Sequence, residues 1–422
     1  MDALIRPGGP PAGALAAPPS KSMAHRAVLC AALADGVSRI GRLAHSQDID
    51  ATLGAAAAFG AQVEAAGDAA VITGAHPLRA PAAPVDCCES GSTLRFLIPL
   101  AALGGAAVTF TGRGRLMQRP QSVYQALFAA RGLRFEQAGG ALTAAGPLAA
   151  GRFELAGDVS SQFVSGLLFA LPLLAGDSVI ALRPPVESRS YIEMTRAAQR
   201  RFGVVSGWLD ENTLAVPGGQ RYRPQQMEVE GDWSQAAFPA VLGALAGDVT
   251  VTGLAPDTLQ GDAVILDILR RCGGAAQPAE GGYRFVKSPL RGTEIDLADC
   301  PDLGPVLMAM GLLCEGETVI RNAGRLRLKE SDRIAAMEQE LRKFGGAISS
   351  SGGTVTVRRS PLHPPSEPLC GHNDHRVVMS LAVLAAAAGL PARIEGAQAV
   401  NKSWPGFFAD LRRLGVEVDE YA

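Results

Sequence analysis

Hydroxyl and cationic side chains occur together in several short stretches of this sequence, each just ahead of an apolar run. The plainest stretch is Ser160-Ser161-Gln162, which precedes a run rich in Leu, Phe and Ala. If that run is a helix, its unpaired backbone N–H groups and the positive end of its dipole face one point. This arrangement suits a phosphate, although a lone serine at such a place is more often only an N-cap.

A second stretch adds positive charge to the hydroxyls. Lys21 lies between Ser20 and Ser22, and Arg26 follows four residues after Ser22, which places both on one helix face. A lysine beside a cap is normally only solvated. Two hydroxyls, a lysine and an arginine that converge on one helix start favour an oxyanion site.

A third stretch opens a predicted helix over Lys329–Phe344. Lys329 and Arg333 are one turn apart there, with Glu330 between them, and the usual alternative is a charged, exposed helix face. Arg325 and Arg327 lie just upstream, so the loop that enters this helix is unusually cationic.

Cations occupy predicted helix starts along the whole chain, although the net charge is only −2. They are Lys21, Arg26, Arg119, Lys329, Arg333, Arg376 and Lys402. This pattern predicts a cleft for small, heavily anionic ligands rather than a polyanion-binding surface. Asp302, Glu330 and His375 are the candidate acids and bases, and no metal-binding motif is present.

The elements that must hold these residues form a repeat of about 70 residues, which occurs six times. Each copy has a polar cluster before its first helix: Ser20-Lys21-Ser22, Glu89–Thr93, Ser160-Ser161-Gln162, Asp232-Trp233-Ser234-Gln235, Cys300-Pro301-Asp302 and Asn373-Asp374-His375-Arg376. The pattern predicts a strand–helix–strand–helix–strand–strand unit. The first helix is apolar nearly all round and should be buried, whereas the second has one polar face. The last copy is cut short after Val416–Val418 by the C-terminus.

Length and composition agree with such a chain. Its 422 residues suggest two or more domains, and 47% hydrophobic with 19% charged residues fits buried helices. Its apolar runs are shorter than the roughly 18 residues that a membrane span needs. Seven cysteines without a C-x-x-C pair predict reduced, buried thiols in a cytoplasmic protein.

Several of these motifs, in this order, resemble the 5-enolpyruvylshikimate-3-phosphate synthase family. They are Pro19-Ser20-Lys21-Ser22 with His25-Arg26, Ser160-Ser161-Gln162, Leu326–Arg333 and Asn373–Arg376. The resemblance implies an inside-out α/β fold of two domains, each of three βαβαββ units. It places one domain at 18–228, the other at 1–17 with 229–422, and the active site in a cleft between them.

The resemblance also implies an activity and the residues that carry it. The enolpyruvyl group of phosphoenolpyruvate would pass to the 5-hydroxyl of shikimate 3-phosphate, in chorismate and aromatic amino-acid biosynthesis. Shikimate 3-phosphate would be bound by Lys21, Ser22, Arg26, Ser160, Ser161, Gln162, Ser188, Tyr191, Asp302, Arg325 and Lys329. Phosphoenolpyruvate would be bound by Lys21, Gly91, Ser92, Arg119, Gln162, Arg333, Arg376 and Lys402.

For catalysis, Asp302 suits the base near the attacking hydroxyl and Glu330 the acid near the methylene carbon, with Lys21 and His375 as further candidates. We expect no cofactor, no nucleic-acid or membrane partner, and a monomer. Glyphosate competes for the phosphoenolpyruvate site in this family. The chain departs from the family at Glu89, Arg325 and Phe96, and the last departure bears on inhibitor sensitivity.

Two other functions compete with this interpretation. A sister enolpyruvyl transferase acts on UDP-N-acetylglucosamine, but its loop carries a reactive Cys that Thr111–Pro120 lacks, and it has Asn where Ser22 stands. A non-enzymatic repeat scaffold would place variable polar residues on one face, not seven cations at helix starts.

Overall fold

The computed structural model describes residues 1–421, which form alternating helices and short strands. The strands are β1 Asp2–Arg6, β2 Ala12–Ala16, β3 Val37–Gly41, β4 Gln62–Ala66, β5 Ala69–Thr73, β6 Val85–Asp86, β7 Val108–Thr111, β8 Arg134–Ala138, β9 Ala141–Ala145, β10 Arg152–Ala156, β11 Ser178–Arg183, β12 Gly207–Trp208, β13 Thr213–Val216, β14 Gln226–Glu228, β15 Asp248–Thr252, β16 Ala275–Ala279, β17 Gly282–Val286, β18 Glu294–Asp296, β19 Glu317–Arg321, β20 Ala347–Ser351, β21 Thr354–Arg358, β22 Leu369–Cys370, β23 Ala392–Glu395 and β24 Glu417–Tyr421. The α-helices are α1 Lys21–Ala32, α2 Gln47–Ala58, α3 Gly91–Ala101, α4 Ser122–Ala130, α5 Ser161–Ala170, α6 Arg189–Arg201, α7 Trp233–Ala246, α8 Ile265–Arg271, α9 Gly304–Gly311, α10 Arg333–Lys343, α11 His375–Ala388 and α12 Phe407–Arg413.

The strands of residues 1–421 form six four-stranded sheets, one for each predicted repeat. In a complete repeat the order is β6-β7-β9-β8: the first two strands are parallel and joined through α3, and the last two form an antiparallel hairpin. The sheets β10-β11-β13-β12 and β18-β19-β21-β20 have the same order. The βαβαββ unit predicted from the sequence is therefore confirmed.

Two repeats exchange their first strands. β2 pairs in parallel with β15, a strand of the fourth repeat, whereas β14 pairs in parallel with β3 of the first repeat. Two compact units result, Pro19–Val229 and Met1–Pro18 together with the chain from Glu230 onward. The domain bounds that the resemblance implies, 18–228 and 1–17 with 229–422, stay a prediction.

The last repeat is complete, in contrast to the expectation that the C-terminus cuts it short. β1 lies between β23 and β24 and is antiparallel to both, with Ala3 opposite Ile394 and Ile5 opposite Val418. The N-terminal strand thus supplies what the end of the chain lacks. A pattern read along the chain shows only consecutive elements, and this pairing joins its two ends.

The first helices of the repeats are buried, as their composition predicts. In α11 every residue from His375 to Ala385 is buried. The second helices keep a polar face, as in α6. The fold class predicted from the sequence, an inside-out α/β arrangement of six repeats, is confirmed.

Some predicted details were wrong. The helix predicted over Lys329–Phe344 begins only at Arg333, because Asp332 caps it and Lys329 is extended. Cys370 is exposed and Cys88 partly exposed, so these thiols are not buried as expected, although all seven cysteines are free. Within residues 1–421 there is no helix with the length and hydropathy to cross a bilayer.

Replacement of Ile5 tests whether β1 is part of the core. Ile5 is fully buried on a central strand, so Ile5→Ala should lower the free energy of unfolding by about 3 kcal/mol. Arg6→Ala is the control on the same strand, since the Arg6–Asp419 ion pair is about half exposed and should contribute less than about 1 kcal/mol. Equal losses in urea denaturation would contradict the pairing of β1 within this sheet.

Candidate active site

The N-caps of the first helices differ in chemistry between the two compact units. In the unit 19–229, the N-caps of α1, α3 and α5 are Ser20, Ser90 and Ser160, at intervals of 70 residues. In the other unit, Asp232 and Asp374 cap α7 and α11. Each side chain accepts a backbone N–H of its own helix, so the capping role considered for Ser160 is present. A capping hydroxyl keeps its proton for a ligand, whereas a capping carboxylate brings a charge that needs a cation.

Lys21 lies at the first position of α1 and its ammonium pairs with the Asp48 carboxylate at 2.6 Å. Both side chains are largely buried, 16% and 8% exposed. Asp48 is in the first turn of α2, so the contact joins the starts of two helices. Lys21 is therefore held in one orientation, as a charged group in a catalytic site must be.

Arg26 is buried and its hydrogen-bond partners are neutral oxygen atoms. Its guanidinium donates to the Thr195 hydroxyl at 2.8 Å and to the carbonyls of Ser22 and Tyr191 at 2.7 and 2.9 Å. It also lies 5.3 Å from the Phe96 ring centroid. Burial lowers the pKa of Arg26 to about 10. A buried cation without a carboxylate partner is a favourable place for an anion.

A second group in this unit surrounds the start of α3. Gln162 donates to the Ser92 hydroxyl at 2.9 Å and accepts from Arg95 at 2.7 Å. A Cβ added at Gly91 would lie 2.9 Å from Arg119 Nη1, so this guanidinium is directly over the helix start. The structure thus brings together Gly91, Ser92, Arg119 and Gln162, which are far apart in sequence.

The electrostatics of this group also favour an anion. Burial, and then the nearby charge of Arg119, lower the pKa of Arg95 to about 10. The Nε of Arg119 is buried and has no hydrogen-bond partner among residues 1–421. Two arginines of like charge and an unused buried donor lie at a helix N-terminus, where the dipole adds further positive potential.

Three more predicted residues lie at the starts of α5 and α6. Ser161 is buried at the first position of α5, and Ser188, also buried, precedes α6 with φ of 56°. Tyr191 is in the first turn of α6, and its backbone carbonyl accepts a hydrogen bond from Arg26. The left-handed conformation of Ser188 is uncommon for a residue with a side chain and is typical of functional loops.

In the unit that begins at Glu230, three cations converge on one carboxylate. Asp302 pairs with Arg376 at 2.9 Å, Arg333 at 3.2 Å and Lys329 at 3.6 Å. Asp302 lies in a short 3-10 turn, Pro301–Leu303, and α9 is capped by Leu303. Asp302 is therefore not the N-cap of this helix, and its carboxylate is 21% exposed among the cations.

Arg333 is the centre of this arrangement and is 2% exposed. It donates to the fully buried Asp374 at 2.8 and 3.2 Å and lies 3.9 Å from Glu330. Burial opposes the charge on Arg333, but the carboxylates of Asp374, Asp302 and Glu330 hold its pKa above the ordinary value. Burial likewise opposes the charge on Asp374, yet Arg333 outweighs it and the pKa of Asp374 is lowered.

Glu330, Asp374 and His375 offer donor atoms close enough together for a metal ion. His375 Nδ1 and Glu330 Oε2 are 2.9 Å apart, and Ser331 donates to Asp374 at 3.0 Å. A divalent cation would compete with Arg333 for both carboxylates, so we assign this cluster to the guanidinium.

Two further cations of this unit are held by backbone carbonyls. Lys402 is buried and donates to the Asn373 carbonyl at 2.6 Å. Arg325 donates to the Ala298 carbonyl at 2.5 Å. Asn373 has φ of 50° and follows His372 at 48°, so two left-handed residues shape the loop before α11.

Phe96 and Glu89, two residues at which the chain departs from the family pattern, have defined contacts in the structure. Phe96 is fully buried and forms the aromatic surface under Arg26. The Glu89 carboxylate lies beside Gly114, where a Cβ would collide with it, and contributes to the raised pKa of Arg113. Phe96 thus supports a binding residue.

Three residues that orient predicted site residues were not identified as such from the sequence. Asp48 pairs with Lys21, Arg95 orients Gln162, and Ser234 accepts a hydrogen bond from Arg376 at 2.9 Å. The sequence did contain a signal for Ser234: it stands two residues after the N-cap of α7, the same position that Ser22, Ser92 and Gln162 have in their helices. Asp48 and Arg95 are recognisable only from contacts between helices.

Comparison with known proteins places these residues in a family. The sequence model described as EPSP synthase (3-phosphoshikimate 1-carboxyvinyltransferase) matches residues 5–411. The chain is similar to the 3-phosphoshikimate 1-carboxyvinyltransferases of Clostridium kluyveri, with 42% identity over 97% of this chain and 96% of that protein, and of Clostridioides difficile, with 36% identity over 96% and 95%. Its fold is similar to EPSP synthase from Acinetobacter baumannii, with a TM-score of 0.80, 23% identity and full coverage of both chains. It is also similar to the enolpyruvyl transferase NikO from Streptomyces tendae, with a TM-score of 0.77, 17% identity and 99% and 98% coverage.

The surroundings of Lys329 predict an unusual titration. Burial lowers the pKa of Lys329 to about 8; Asp302 opposes this shift, whereas Arg333, Arg325 and Arg376 add to it. We therefore expect Lys329 to lose its proton as the pH rises through about 8. Asp302→Asn removes the opposing charge and should lower this pKa further.

The measurement is a pH titration of labelled lysine side chains by NMR. Lys343 is the internal control, because Glu340 and Glu367 hold its pKa above the ordinary value despite partial burial. A Lys329 signal that titrates above pH 10, or that does not move in Asp302→Asn, would contradict the described geometry.

Proposed function

Because this chain belongs to the EPSP synthase family, we propose that it transfers the enolpyruvyl group of phosphoenolpyruvate to the 5-hydroxyl of shikimate 3-phosphate, with release of phosphate. The observation that carries this conclusion is the match over nearly the whole chain to proteins named for that reaction. The product is an intermediate of aromatic amino-acid biosynthesis.

Shikimate 3-phosphate is proposed to bind through hydroxyls and cations. The carboxylate would compensate the charge of Arg26, with Ser22 beside it on α1. The phosphate would accept from Ser160, Ser161 and Ser188, which lie at helix starts. The ring would contact Tyr191 and Gln162, and its hydroxyls Asp302, Lys329 and Arg325.

Phosphoenolpyruvate is proposed to bind at the other cations. Gly91, Ser92, Arg119 and Gln162 are adjacent around the start of α3, which supports a phosphate there. Arg333 and Arg376 converge on Asp302, and Lys402 belongs to the same unit. Two planar guanidinium groups suit a bidentate carboxylate.

The chemistry requires proton transfers in two directions. As the 5-oxygen attacks the enol carbon, its proton passes to Asp302, while the methylene carbon gains a proton from Glu330 or from Lys21. The group that gave this proton, Glu330 or Lys21, then takes a proton back from the methyl carbon, which restores the double bond as phosphate leaves. Lys21 is oriented by Asp48, and Glu330 by His375 at 2.9 Å, so each donor is already positioned.

We also propose that the protein acts as a monomer in the cytoplasm. The seven free thiols favour a reducing compartment. Size determination by light scattering during gel filtration tests the oligomeric state.

The activity is tested by release of phosphate from phosphoenolpyruvate with each acceptor. We expect turnover with shikimate 3-phosphate, and none with UDP-N-acetylglucosamine or without an acceptor. Turnover with the nucleotide sugar instead would show the sister reaction, and none with either would contradict transferase activity.

The role of Asp302 as the base is tested by Asp302→Asn, which keeps the shape of the side chain and removes its charge. Turnover should fall by roughly 10²-fold or more if Asp302 is the base. Thermal unfolding of the variant shows whether it remains folded. A folded variant with near-normal turnover would contradict the role of Asp302 as the base.

Glyphosate should inhibit in competition with phosphoenolpyruvate, and Gly91→Ala should weaken this inhibition by about tenfold or more. The added Cβ would lie 2.9 Å from Arg119 Nη1 and would displace that guanidinium; loss of a charged hydrogen bond has an effect of this size. Gly54→Ala is the control, because a Cβ there meets nothing within 4 Å. Equal inhibition of both variants would place the inhibitor away from α3.

A further inference from the structure

The polar cluster at the start of α7 has no role in the reaction as described so far. It consists of the N-cap Asp232 and the next three residues, Trp233, Ser234 and Gln235. Ser234 stands two residues after the cap. The same position of other repeats holds Ser22, Ser92, Gln162 and Arg376, all of which belong to the proposed binding site.

Ser234 links a carboxylate to an arginine. Its hydroxyl donates to Asp232 Oδ1 at 2.6 Å, and its oxygen accepts from Arg376 Nη2 at 2.9 Å. The three side chains are 3% to 5% exposed. Because the single serine proton is donated to a carboxylate, the hydroxyl oxygen is a stronger acceptor toward the guanidinium. Arg376 thus experiences the charge of Asp232 through Ser234.

The remaining contacts of Arg376 explain why a second anchor is needed. Nη2 also donates to Asp302 Oδ2 at 2.9 Å, and Nη1 donates to the Asp302 carbonyl at 3.2 Å. During the proposed reaction the Asp302 carboxylate accepts a proton and contacts the acceptor substrate. Its hold on Arg376 therefore weakens at the step in which Arg376 must stay aligned with phosphoenolpyruvate. Asp232 and Ser234 do not take part in proton transfer.

We propose that Ser234, oriented by Asp232, is a positioning residue that holds Arg376 for phosphoenolpyruvate. It acts through Arg376 and does not touch the substrate. The inference rests on the proposed function, since it concerns the ligand of Arg376 in that reaction.

The test is steady-state kinetics of Ser234→Ala with both substrates. The KM for phosphoenolpyruvate should rise about tenfold, the effect of losing one hydrogen bond to a charged group. The KM for shikimate 3-phosphate should stay within about twofold of the wild-type value, and kcat within about threefold. Ser234→Cys keeps a similar volume with a weak acceptor, and it should show the same change if the alanine variant folds poorly.

Ser380→Ala is the matched control. Ser380 is also a fully buried serine next to Arg376, but its hydroxyl donates to the Arg376 backbone carbonyl at 2.6 Å, not to the guanidinium. A merely structural role predicts the same kinetics for both alanine variants. The proposal is overturned if the KM for phosphoenolpyruvate is equal in the two variants, or if the KM values of both substrates rise together.

The proposed function and this inference fail in different ways. Wild-type protein that does not convert the two substrates would overturn both. Wild-type turnover with an unchanged KM in Ser234→Ala and Ser234→Cys would leave the function intact and overturn only the positioning role.

Discussion

Positive charge at the starts of buried helices is the constraint on which this structure depends. Six first-type helices lie inside the repeats, so their N-terminal N–H groups and dipoles point at places where water has limited access. Cations near such places raise the local potential further. They persist in a folded protein only if carboxylates, neutral acceptors or a bound anion compensate them.

The two compact units meet this constraint in different ways. From Glu230 onward, Asp232, Asp302 and Asp374 stand at the three helix starts, and Arg333 and Arg376 are held among them. In the unit 19–229 the corresponding caps are serines, and within residues 1–421 the guanidinium of Arg26 has only neutral hydrogen-bond partners. Carboxylates thus compensate Arg333 and Arg376 in one unit, whereas Arg26 in the other keeps a charge that an anionic substrate can neutralise.

The repeat lets one helix position serve several chemical purposes. The residue two places after the cap is Ser22, Ser92, Gln162, Ser234 or Arg376 in different copies. Its backbone environment is the same in each, namely the first turn of a helix whose N-cap stands two residues earlier. A change of side chain there alters the ligand that the helix start can hold without altering the fold. This explains how a repeated scaffold carries an asymmetric site.

The sequence by itself determined the repeat, the burial of its first helices and the placement of Lys21, Arg333 and Arg376 at helix starts, because hydrophobic period and capping chemistry are local properties. Arg119, Lys329 and Lys402 were also expected at helix starts, but they lie before α4, α10 and α12, in 3-10 turns or extended backbone. The sequence also showed the family motifs. The tertiary structure decided the partners: Asp48 for Lys21, Arg95 for Gln162, Ser234 for Arg376, and β1 as the strand that completes the last sheet. It also showed that Lys329 is extended, and Lys329 still reaches Asp302 from outside the helix. Such contacts join residues from 27 to more than 400 positions apart. They depend on how helices and strands pack, which no local pattern encodes.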